Sequence, residues 1–410
     1  MQHRRKARWM HMILFICLLN CLWGTAFSQA GDSCSLRISL ITCNPGSELY
    51  STFGHTALRV VDEAAGTDIA YNYGTFAFDD PNFYAKFIRG KLNYYVDQQA
   101  FPDFLYEYQY YSREVREQIL NITCEEKKQI QAFLFMNIRP ENKFYRYDFL
   151  YDNCTTRVRD ILLKKNGQGF HTANIIDQPG RTFRNHIHYY LNRNQMPWSK
   201  LGIDILLGAR LDRAMTNEEA MFLPDYLEKA ADSTQRSNQK LVAEKRVVFK
   251  PAQPAIGNEP GLFTPSRVAW VLLGIGLLLS ALASRAAQIA LRFFDFLLFF
   301  LPGLLGIQLV FMWTATDHLV CGNNYNLLWA LPFNTAAAFY VRNPSAGWRR
   351  YFGFVAMVSY LLLVSWRWLP QELNPDLIPL VLMIGLRAAL ISGLESKLPW
   401  KNKSLSNKRN

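Results

Sequence analysis

The chain has 410 residues, of which 45 are Lys or Arg and 33 are Asp or Glu, so its formal net charge at pH 7 is +12. The first 260 or so residues are mixed and polar, whereas most of the remainder consists of apolar runs separated by short charged loops. This division excludes a chain that is soluble throughout. Basic residues beside apolar runs are typical of membrane topology, so the net charge does not indicate a nucleic-acid partner.

Residues 1–30 predict an export signal. Four basic residues precede an apolar run at 9–27, and small residues then suit cleavage near Ser28 or Ala30. The alternative is an uncleaved anchor, because the run is nearly long enough to cross a bilayer. No lipidation pattern precedes Cys34, so the chain is not expected to be a lipoprotein itself. Either outcome places the polar domain, residues 31–250, outside the cytoplasm.

Alternating sequences rich in β-branched residues predict three strands early in this domain, at Ser35–Cys43, His55–Asp62 and Thr67–Phe76. The segment Cys124–Asn137 predicts a helix, because Thr123 suits its N-cap and Glu126 completes a capping box. The Tyr-rich sequence between these elements suits either a helix or a strand. The predicted domain is therefore of the α+β class.

Cys154 lies in the stretch YDNCTTRVRD, directly before a predicted helix at 155–165. Asn153 is a suitable N-cap for that helix. The unsatisfied N–H groups of a first helical turn favour a thiolate over a thiol, and they also suit an oxyanion. Cys154 is therefore a candidate nucleophile that needs a positioned base.

His55 is the best candidate for that base, because it begins a predicted strand and Gly54 leaves room for close backbone approach. The next strand offers Asn72 and Tyr73 as side chains that could orient the imidazole. On spacing alone, a Cys and a His this far apart are more often structural than catalytic.

Five cysteines lie outside the signal, in an oxidising compartment or at its membrane boundary: Cys34, Cys43, Cys124, Cys154 and Cys321. An odd number leaves at least one thiol free unless another protein supplies a mate. Which of them pair is left open by the sequence.

Five apolar segments near the ~20 residues needed to cross a bilayer predict an all-α bundle of transmembrane helices. They lie at about 268–283, 293–314, 325–341, 351–369 and 377–394. The predicted order after the exported domain is thus a linker at 251–265, a membrane domain at 266–396 and a basic cytoplasmic tail at 397–410.

Lys and Arg occur between the first two segments, between the third and fourth, and in the tail, whereas the loops at 317–324 and 371–376 contain neither. The positive-inside rule places those two loops outside, with the exported domain. The sequence therefore predicts a multi-pass protein of the inner membrane with its catalytic domain in the periplasm.

The order of a His at a strand start, a polar residue on the next strand and an Asn-Cys at a helix start resembles the circularly permuted papain-like arrangement of the NlpC/P60 and lecithin:retinol acyltransferase group. More closely, TCNPGSELYSTFGHTALRV, YNYGTF, NFYAKFIRGKLNYYV and YDNCTTRVRD resemble the Lnb-type family over about 36–227, and TDHLVCGNNYNLLWALPFN extends the resemblance to 316–334. The resemblance implies a papain-like, NlpC/P60-like exported domain before about five transmembrane helices. It also implies a bacterial lipoprotein N-acyltransferase, with His55 and Cys154 at the family's His and Cys.

Four residues are candidates for substrate binding. Asn153 adjoins the thiol, and His318 lies in an outer loop at the membrane edge, where the catalytic domain must dock. Arg181 and Arg184 suit a lipid phosphate. The alternatives are a packing role for His318 and a solvated helix face for the two arginines.

Two histidines and two further arginines are interpreted without a role in catalysis or substrate binding, apart from one alternative for Arg367. His186 and His188 would suit a metal on a strand, but the segment 181–193 predicts a helix and no third ligand is evident, so we expect neither a metal nor a cofactor. Arg387, inside a predicted span, is expected to snorkel to the interface. Arg367, near an outer end, is expected to snorkel or to pair with a headgroup phosphate.

The leading hypothesis is a ping-pong transfer of a fatty acyl chain from a membrane phospholipid, through a Cys154 thioester, to the N-terminal amine of exported lipoproteins. The first alternative is a papain-like cysteine peptidase or amidase that acts on cell-wall peptides. The second is a non-catalytic membrane assembly protein in which Cys154 forms a disulfide and His55 packs in the core.

Overall fold

The computed structural model describes residues 34–76, 82, 86, 89–165, 169–253 and 261–393. These residues form an α+β domain followed by a helical region, as the sequence predicts. The predicted signal at 1–30, the tail at 397–410 and residues 254–260 of the predicted linker lie outside the described residues.

The α+β domain is built on an antiparallel sheet. The described strands are β1 Leu36–Cys43, β2 His55–Asp62, β3 Thr67–Thr75, β4 Asn93–Ala100, β5 Val115–Leu120, β6 Phe144–Arg146, β7 His171–Thr172, β8 Thr234–Arg236, β9 Gln239–Lys240 and β10 Val242–Phe249. Seven of them form one sheet in the order β10-β5-β1-β2-β3-β4-β6, and β7-β8-β9 form a small second sheet. The three predicted strands are confirmed as β1, β2 and β3.

The domain also contains short helices: α1 Phe101–Tyr110, α2 Cys124–Asn137, α3 Cys154–Arg159, α4 Phe183–Arg193, α5 Pro197–Leu206, α6 Asn217–Ala220 and α7 Pro224–Ser233. Of these, α1, α2, α3 and α7 pack on the large sheet. The helix predicted at Cys124–Asn137 is confirmed, with the capping box between Thr123 and Glu126. The helix predicted at 155–165 is α-helical only to Arg159 and continues as a π-helix, Asp160–Lys165.

Alternation along the central strands produces a core on each face of the sheet. Leu40 and Tyr71 belong to the larger core, which includes α2, α4 and α7, whereas Ile41 and Ala70 face the smaller core under α1. A disulfide joins Cys34, before β1, to Cys124 in the first turn of α2. The pairing that the sequence leaves open is thereby assigned, and Cys43, Cys154 and Cys321 are free thiols.

The helical region contains α8 Pro265–Ala281, α9 Arg285–Thr314, α10 Asn334–Ala337, α11 Ala346–Ser365 and α12 Ile378–Ser392. Within the described residues, Arg285–Thr314 and Pro375–Ser392 are long and apolar enough to cross a membrane, and Pro265–Ala281 is a shorter apolar helix. The prediction of one spanning helix at 325–341 is wrong. That segment consists of α10 and 3₁₀ turns at Tyr325–Leu328 and Ala338–Tyr340.

The broken segment packs closely along α9. A Cβ at Gly306 would collide with the carbonyl oxygen of Ala330, and a Cβ at Gly303 would collide with the backbone nitrogen of Thr335. Small residues allow such backbone contact between membrane segments. The apolar sequence at 325–341 thus buries itself against α9 without forming a continuous helix.

Arg387 does not snorkel, contrary to the expectation. Its guanidinium donates to both carboxylate oxygens of Asp295, at 2.7 and 2.8 Å, and to Ser280 Oγ at 2.9 Å. All three side chains lie between helices, so α8, α9 and α12 are joined by one buried polar cluster. Because the guanidinium is paired inside the protein, the side chain does not extend to the membrane interface.

The α+β domain and the helical region meet at the fully buried carboxylate of Asp204, in α5. Its Oδ1 accepts hydrogen bonds from Arg184 at 2.8 Å and from His188 at 2.7 Å, and its Oδ2 accepts one from Asn374 at 2.9 Å. The Asn326 amide donates to the Asp204 backbone carbonyl at 2.9 Å. Side chains from both halves therefore share one buried anion, and we call this cluster the Asp204 junction.

The prediction that Arg184 binds lipid phosphate is wrong. Its side chain is fully buried and also pairs with Asp212, at 2.7 Å, and donates to the carbonyls of Leu207 and Gly208. Every guanidinium nitrogen is engaged inside the protein, so none is available to a lipid.

The loop after α9 also docks on the α+β domain. Its Asp317 backbone N–H donates to the Arg89 carbonyl at 3.0 Å, and the Asp317 carboxylate pairs with Arg146. The Gly208 N–H donates to the Val320 carbonyl at 2.9 Å. This second contact holds the same two halves together.

Asp204→Asn should lower the free energy of unfolding by about 3–5 kcal/mol, because it leaves the buried Arg184 without one of its two charge partners. The apparent melting temperature of the detergent-solubilised protein would report the loss. Asp177→Asn is the matched control, because Asp177 pairs with Lys229 at the surface and is 65% exposed. We expect it to cost less than about 1 kcal/mol. Equal melting of wild type and Asp204→Asn would show that the junction is dispensable.

Candidate active site

The candidate site lies where β2 begins, β3 ends and α3 begins. Leu58 of β2 pairs with Tyr71 of β3, so residues before Leu58 and residues after Tyr71 lie at the same end of this antiparallel pair. His55 is the first residue of β2, and Cys154 is the first residue of α3, which packs against both strands. The fold therefore brings a His and a Cys that are 99 positions apart to one end of the sheet.

Asn153 fixes the start of α3. Its Oδ1 accepts hydrogen bonds from the backbone N–H groups of Thr155 and Thr156, both at 2.8 Å, and its Nδ2 donates to the carbonyls of Phe149 and Phe222. The predicted N-cap is confirmed. The prediction that Asn153 binds substrate is wrong, because the side chain is buried and engaged at both ends. The same bonds occupy the N–H groups of Thr155 and Thr156 that the sequence suggested for an oxyanion.

His55 links Asn72 to Cys154. The His55 Nε2 lies 2.5 Å from Asn72 Oδ1, and the His55 imidazole is near enough to the Cys154 thiol for each group to shift the pKa of the other. Because an amide oxygen only accepts, Nε2 carries a proton and Nδ1 is the nitrogen left for the sulfur. The structure thus brings together three of the four residues predicted to form the catalytic group.

Tyr73 is the predicted residue that the structure places elsewhere. Its hydroxyl donates to Asn137 Oδ1 at 2.6 Å, on the opposite face of β3. Neighbouring side chains on a strand alternate between faces, so Asn72 and Tyr73 cannot both meet the imidazole. The expectation that Tyr73 orients His55 is therefore wrong.

The electrostatics of the pair favour a thiolate. Burial alone would raise the pKa of the Cys154 thiol, but the charge and hydrogen bond of His55, the Thr155 hydroxyl and the Thr56 backbone N–H together lower that pKa below its ordinary value. Burial would lower the pKa of His55, but Cys154 and the hydrogen bond to Asn72 raise it above its ordinary value. Both shifts stabilise a thiolate beside an imidazolium.

The other free thiols have the opposite environment. Burial raises the pKa of Cys43 to about 12 and that of Cys321 to about 11. Both groups stay protonated at neutral pH, so Cys154 is the reactive thiol among the described residues.

Two threonines belong to the site although the sequence analysis did not select them. Thr155 Oγ1 lies 3.7 Å from Cys154 Sγ and 3.1 Å from Thr56 Oγ1. Thr155 could have been selected from the sequence, because its hydroxyl directly follows the candidate nucleophile. Thr56 has no such signal, because only the packing of α3 on β2 brings it to the sulfur.

Two glycines shape the site. Gly54 has φ +80°, and a Cβ there would lie 2.7 Å from the Cys43 carbonyl oxygen, so the expected close backbone approach is observed. Gly74 has φ +92° at an irregularity in the β3–β4 pairing, and a Cβ there would lie 3.5 Å from Cys154 Cβ. Its missing side chain leaves space beside the nucleophile for a substrate.

The remaining predicted residues lie outside this group. Arg181 lines a cavity of about 300 Å³ between α4 and α7, with Asn185 and Tyr226 among the other lining residues and no member of the Cys154 group. His318 lies in the docked loop after α9, where its carbonyl accepts a hydrogen bond from the Cys321 N–H at 3.0 Å. Arg367 is exposed beyond the end of α11. Lipid-binding roles for these residues stay predictions.

His186 and His188 lie on a helix, as predicted. The His186 Nδ1 donates to the Thr182 carbonyl at 3.2 Å, and His188 belongs to the Asp204 junction. No group of three or more His, Cys, Asp or Glu side chains suited to a metal ion occurs in the described part of the chain. The chemistry that the site offers is that of a thiol nucleophile and an imidazole acid and base.

Two family models match the chain. The Lnb N-terminal periplasmic domain matches residues 25–189, which include His55, Asn72 and Cys154. The Lnb transmembrane domain matches residues 257–397, which include the helical region. No curated protein and no solved structure matches the chain. The chain is accordingly a membrane protein with an exported domain.

Cys154 should react with iodoacetamide at pH values at which an ordinary thiol is protonated, because its pKa is lowered. His55→Gln removes the imidazolium, so the Cys154 pKa should rise and the alkylation profile should move up by about 1–2 pH units. Peptide mass spectrometry after alkylation measures both profiles, with buried Cys43 and Cys321 as unlabelled internal controls. Superimposable profiles would contradict the thiolate–imidazolium pair.

Proposed function

Because the chain belongs to the Lnb family, we propose that it is a lipoprotein N-acyltransferase. It would move a fatty acyl chain from a membrane phospholipid, through a thioester on Cys154, to the N-terminal diacylglyceryl-cysteine amine of exported lipoproteins. The observation that carries this proposal is the grouping of Asn72, His55 and Cys154, in which Asn72 accepts a hydrogen bond from His55, the thiol pKa is lowered and the imidazole pKa is raised.

In the first half-reaction the Cys154 thiolate attacks the carbonyl carbon of a phospholipid ester. A sulfur–carbon bond forms, and the carbonyl electron pair moves to oxygen. When the carbonyl re-forms, the ester carbon–oxygen bond breaks and His55 gives its proton to the departing lysophospholipid oxygen. The products are a neutral imidazole and an acyl thioester on Cys154.

In the second half-reaction the free amine of the lipoprotein attacks the thioester carbonyl. His55 takes a proton from the attacking nitrogen, an amide bond forms, and the thiolate leaves. An α-amine with an unperturbed pKa of about 7.7–8.0 is partly deprotonated at neutral pH, so one imidazole serves both half-reactions. Asn72 keeps the ring oriented by accepting the Nε2 hydrogen bond in both steps.

The order of the catalytic residues supports a circularly permuted papain-like fold for the exported domain. Papain-like enzymes carry the Cys early in the chain and the His and Asn later. Here His55 and Asn72 precede Cys154, while the cysteine still begins a helix and the other two residues still lie on adjacent strands. A circular permutation, which moves the start of the chain to another point of the same fold, would convert the Cys-first order into the His-first order.

The attached membrane region favours acyl transfer over the peptidase or amidase alternative. Both proposed substrates are held in a bilayer, and the helices that would cross it are joined to the catalytic domain at the Asp204 junction. In this proposal the inner membrane is crossed five times, by α8, α9, the broken segment at 325–341, α11 and α12. The non-catalytic alternative requires a disulfide at Cys154, whereas that thiol is free.

Cys154→Ala and His55→Ala should each lower transfer by about 10³-fold or more, and the double variant should be little worse, because the two residues act as one unit. Mass spectrometry of lipoproteins from cells that lack the gene, complemented with each variant, measures the effect. Cys321→Ala is the matched control, because it removes a buried thiol outside the site. Near-normal N-acylation with Cys154→Ala would rule out the thioester route.

The orientation can be tested with a reporter fused after Asn410. The positive-inside rule puts the C-terminus in the cytoplasm, so a reporter that is active only after export should be inactive there, and the same reporter fused within 317–324 should be active. An active export-dependent reporter after Asn410 would overturn the five-crossing proposal.

A further inference from the structure

Five large apolar side chains near the boundary between the two halves are exposed: Leu49, Tyr50, Trp198, Leu262 and Phe263. We call this group the aromatic ridge. Tyr50 is 74% exposed and Phe263 is 79% exposed, so the described residues do not cover them. Large apolar side chains that remain uncovered together indicate a contact surface.

The ridge lies at the level where the first membrane helix starts. Leu262 and Phe263 lead directly into α8, which begins at Pro265. Trp198 Nε1 donates a hydrogen bond to the Phe263 carbonyl at 2.7 Å. Trp198 belongs to α5, whose Leu201 packs against the core of the helical region. The helix α5 therefore lies across the outer end of that region, with Trp198 beside the start of α8.

The loop that carries Leu49 and Tyr50 is anchored to the same place. The Asn194 side chain donates to the Gly46 carbonyl at 3.2 Å, and the Thr52 hydroxyl donates to the Met196 sulfur at 3.1 Å. Both anchor residues lie just before α5. The 3₁₀ turn Leu49–Ser51 lies between the two anchors and presents its first two side chains outward.

The same loop leads directly to the catalytic base. His55 follows Thr52 by three residues, and the positive φ of Gly54 turns the chain between them. The exposed turn is thus connected to the Cys154 site by a few residues that are fixed at both ends.

We propose that the aromatic ridge inserts into the outer leaflet at headgroup level and holds the mouth of the Cys154 site against the lipid ester. The occupant is the phospholipid bilayer, because the ridge is continuous with the first residues of a membrane helix and combines Trp, Tyr and Phe, the first two of which concentrate at membrane interfaces. The purpose of this contact depends on the proposed function, whereas the position of the ridge does not.

Site-directed fluorescence on the full chain tests the position. Tyr50→Cys in a Cys154→Ala background, labelled with bimane and reconstituted in phosphatidylethanolamine and phosphatidylglycerol vesicles, should be quenched by doxyl-labelled lipid and shielded from aqueous iodide. Phe135→Cys is the control, because Phe135 is also an exposed aromatic residue, at 51%, and lies on α2 away from the ridge. Its label should show the reverse pattern. Leu49→Cys repeats the measurement if Tyr50→Cys accumulates poorly.

Iodide quenching without lipid quenching at position 50 would overturn the proposal, because the ridge would then lie in water. Shielding from both quenchers would overturn it too, because a protein surface would then cover the ridge. Neither result depends on acyl transfer. In the active protein, Tyr50→Ser should raise KM for vesicle phospholipid about tenfold and leave turnover of a soluble short-chain ester unchanged. A wild-type chain that transfers no acyl group would refute the proposed function and leave the quenching result standing.

Discussion

The buried carboxylate of Asp204 is the group on which the arrangement of the two halves depends. Its removal from water costs several kcal/mol unless charged and polar donors replace the lost hydration. Arg184 and His188 come from the α+β domain and Asn374 from the helical region, so neither half alone supplies the full set of donors. The position of the α+β domain relative to the helical region is thus fixed by a requirement for complete hydrogen bonding, in addition to apolar contact.

The reactivity of Cys154 depends on the same kind of complete pairing at a smaller scale. Asn153 holds the start of α3 through four hydrogen bonds, and Asn72 holds the His55 ring through one. Both ends of the Asn153 side chain are committed to positioning, so that side chain is not free to bind substrate. The two supports hold α3 and the His55 ring beside each other, and there the Thr155 hydroxyl and His55 stabilise the thiolate.

Local patterns predicted much of the fold, because alternation and capping act over a few residues. The prediction that His55 and Cys154 meet rested more on the resemblance to the Lnb-type family than on the spacing of the two residues. The two-residue period of a strand already implies that Tyr73 and Asn72 face opposite sides of the sheet. The sequence could therefore have shown that only one of them can meet His55. The burial of Arg184 could not have been predicted, because its partners come from α5 and the segment after it. The break in 325–341 was also hidden, since hydropathy measures how apolar a segment is and says nothing of the close packing that Gly303 and Gly306 permit.

The buried pair of Asp295 and Arg387 has a consequence for biogenesis. The two residues are 92 positions apart, so at about 5–20 residues per second Asp295 is synthesised about 5–20 s before its partner. During that interval α9 carries an uncompensated acidic side chain that a lipid environment does not solvate. Insertion of α9 must therefore be completed late, or beside a protein surface that shields the carboxylate, until α12 arrives. The helix α12, the last in the described part of the chain, thus controls when α9 can be released into the bilayer.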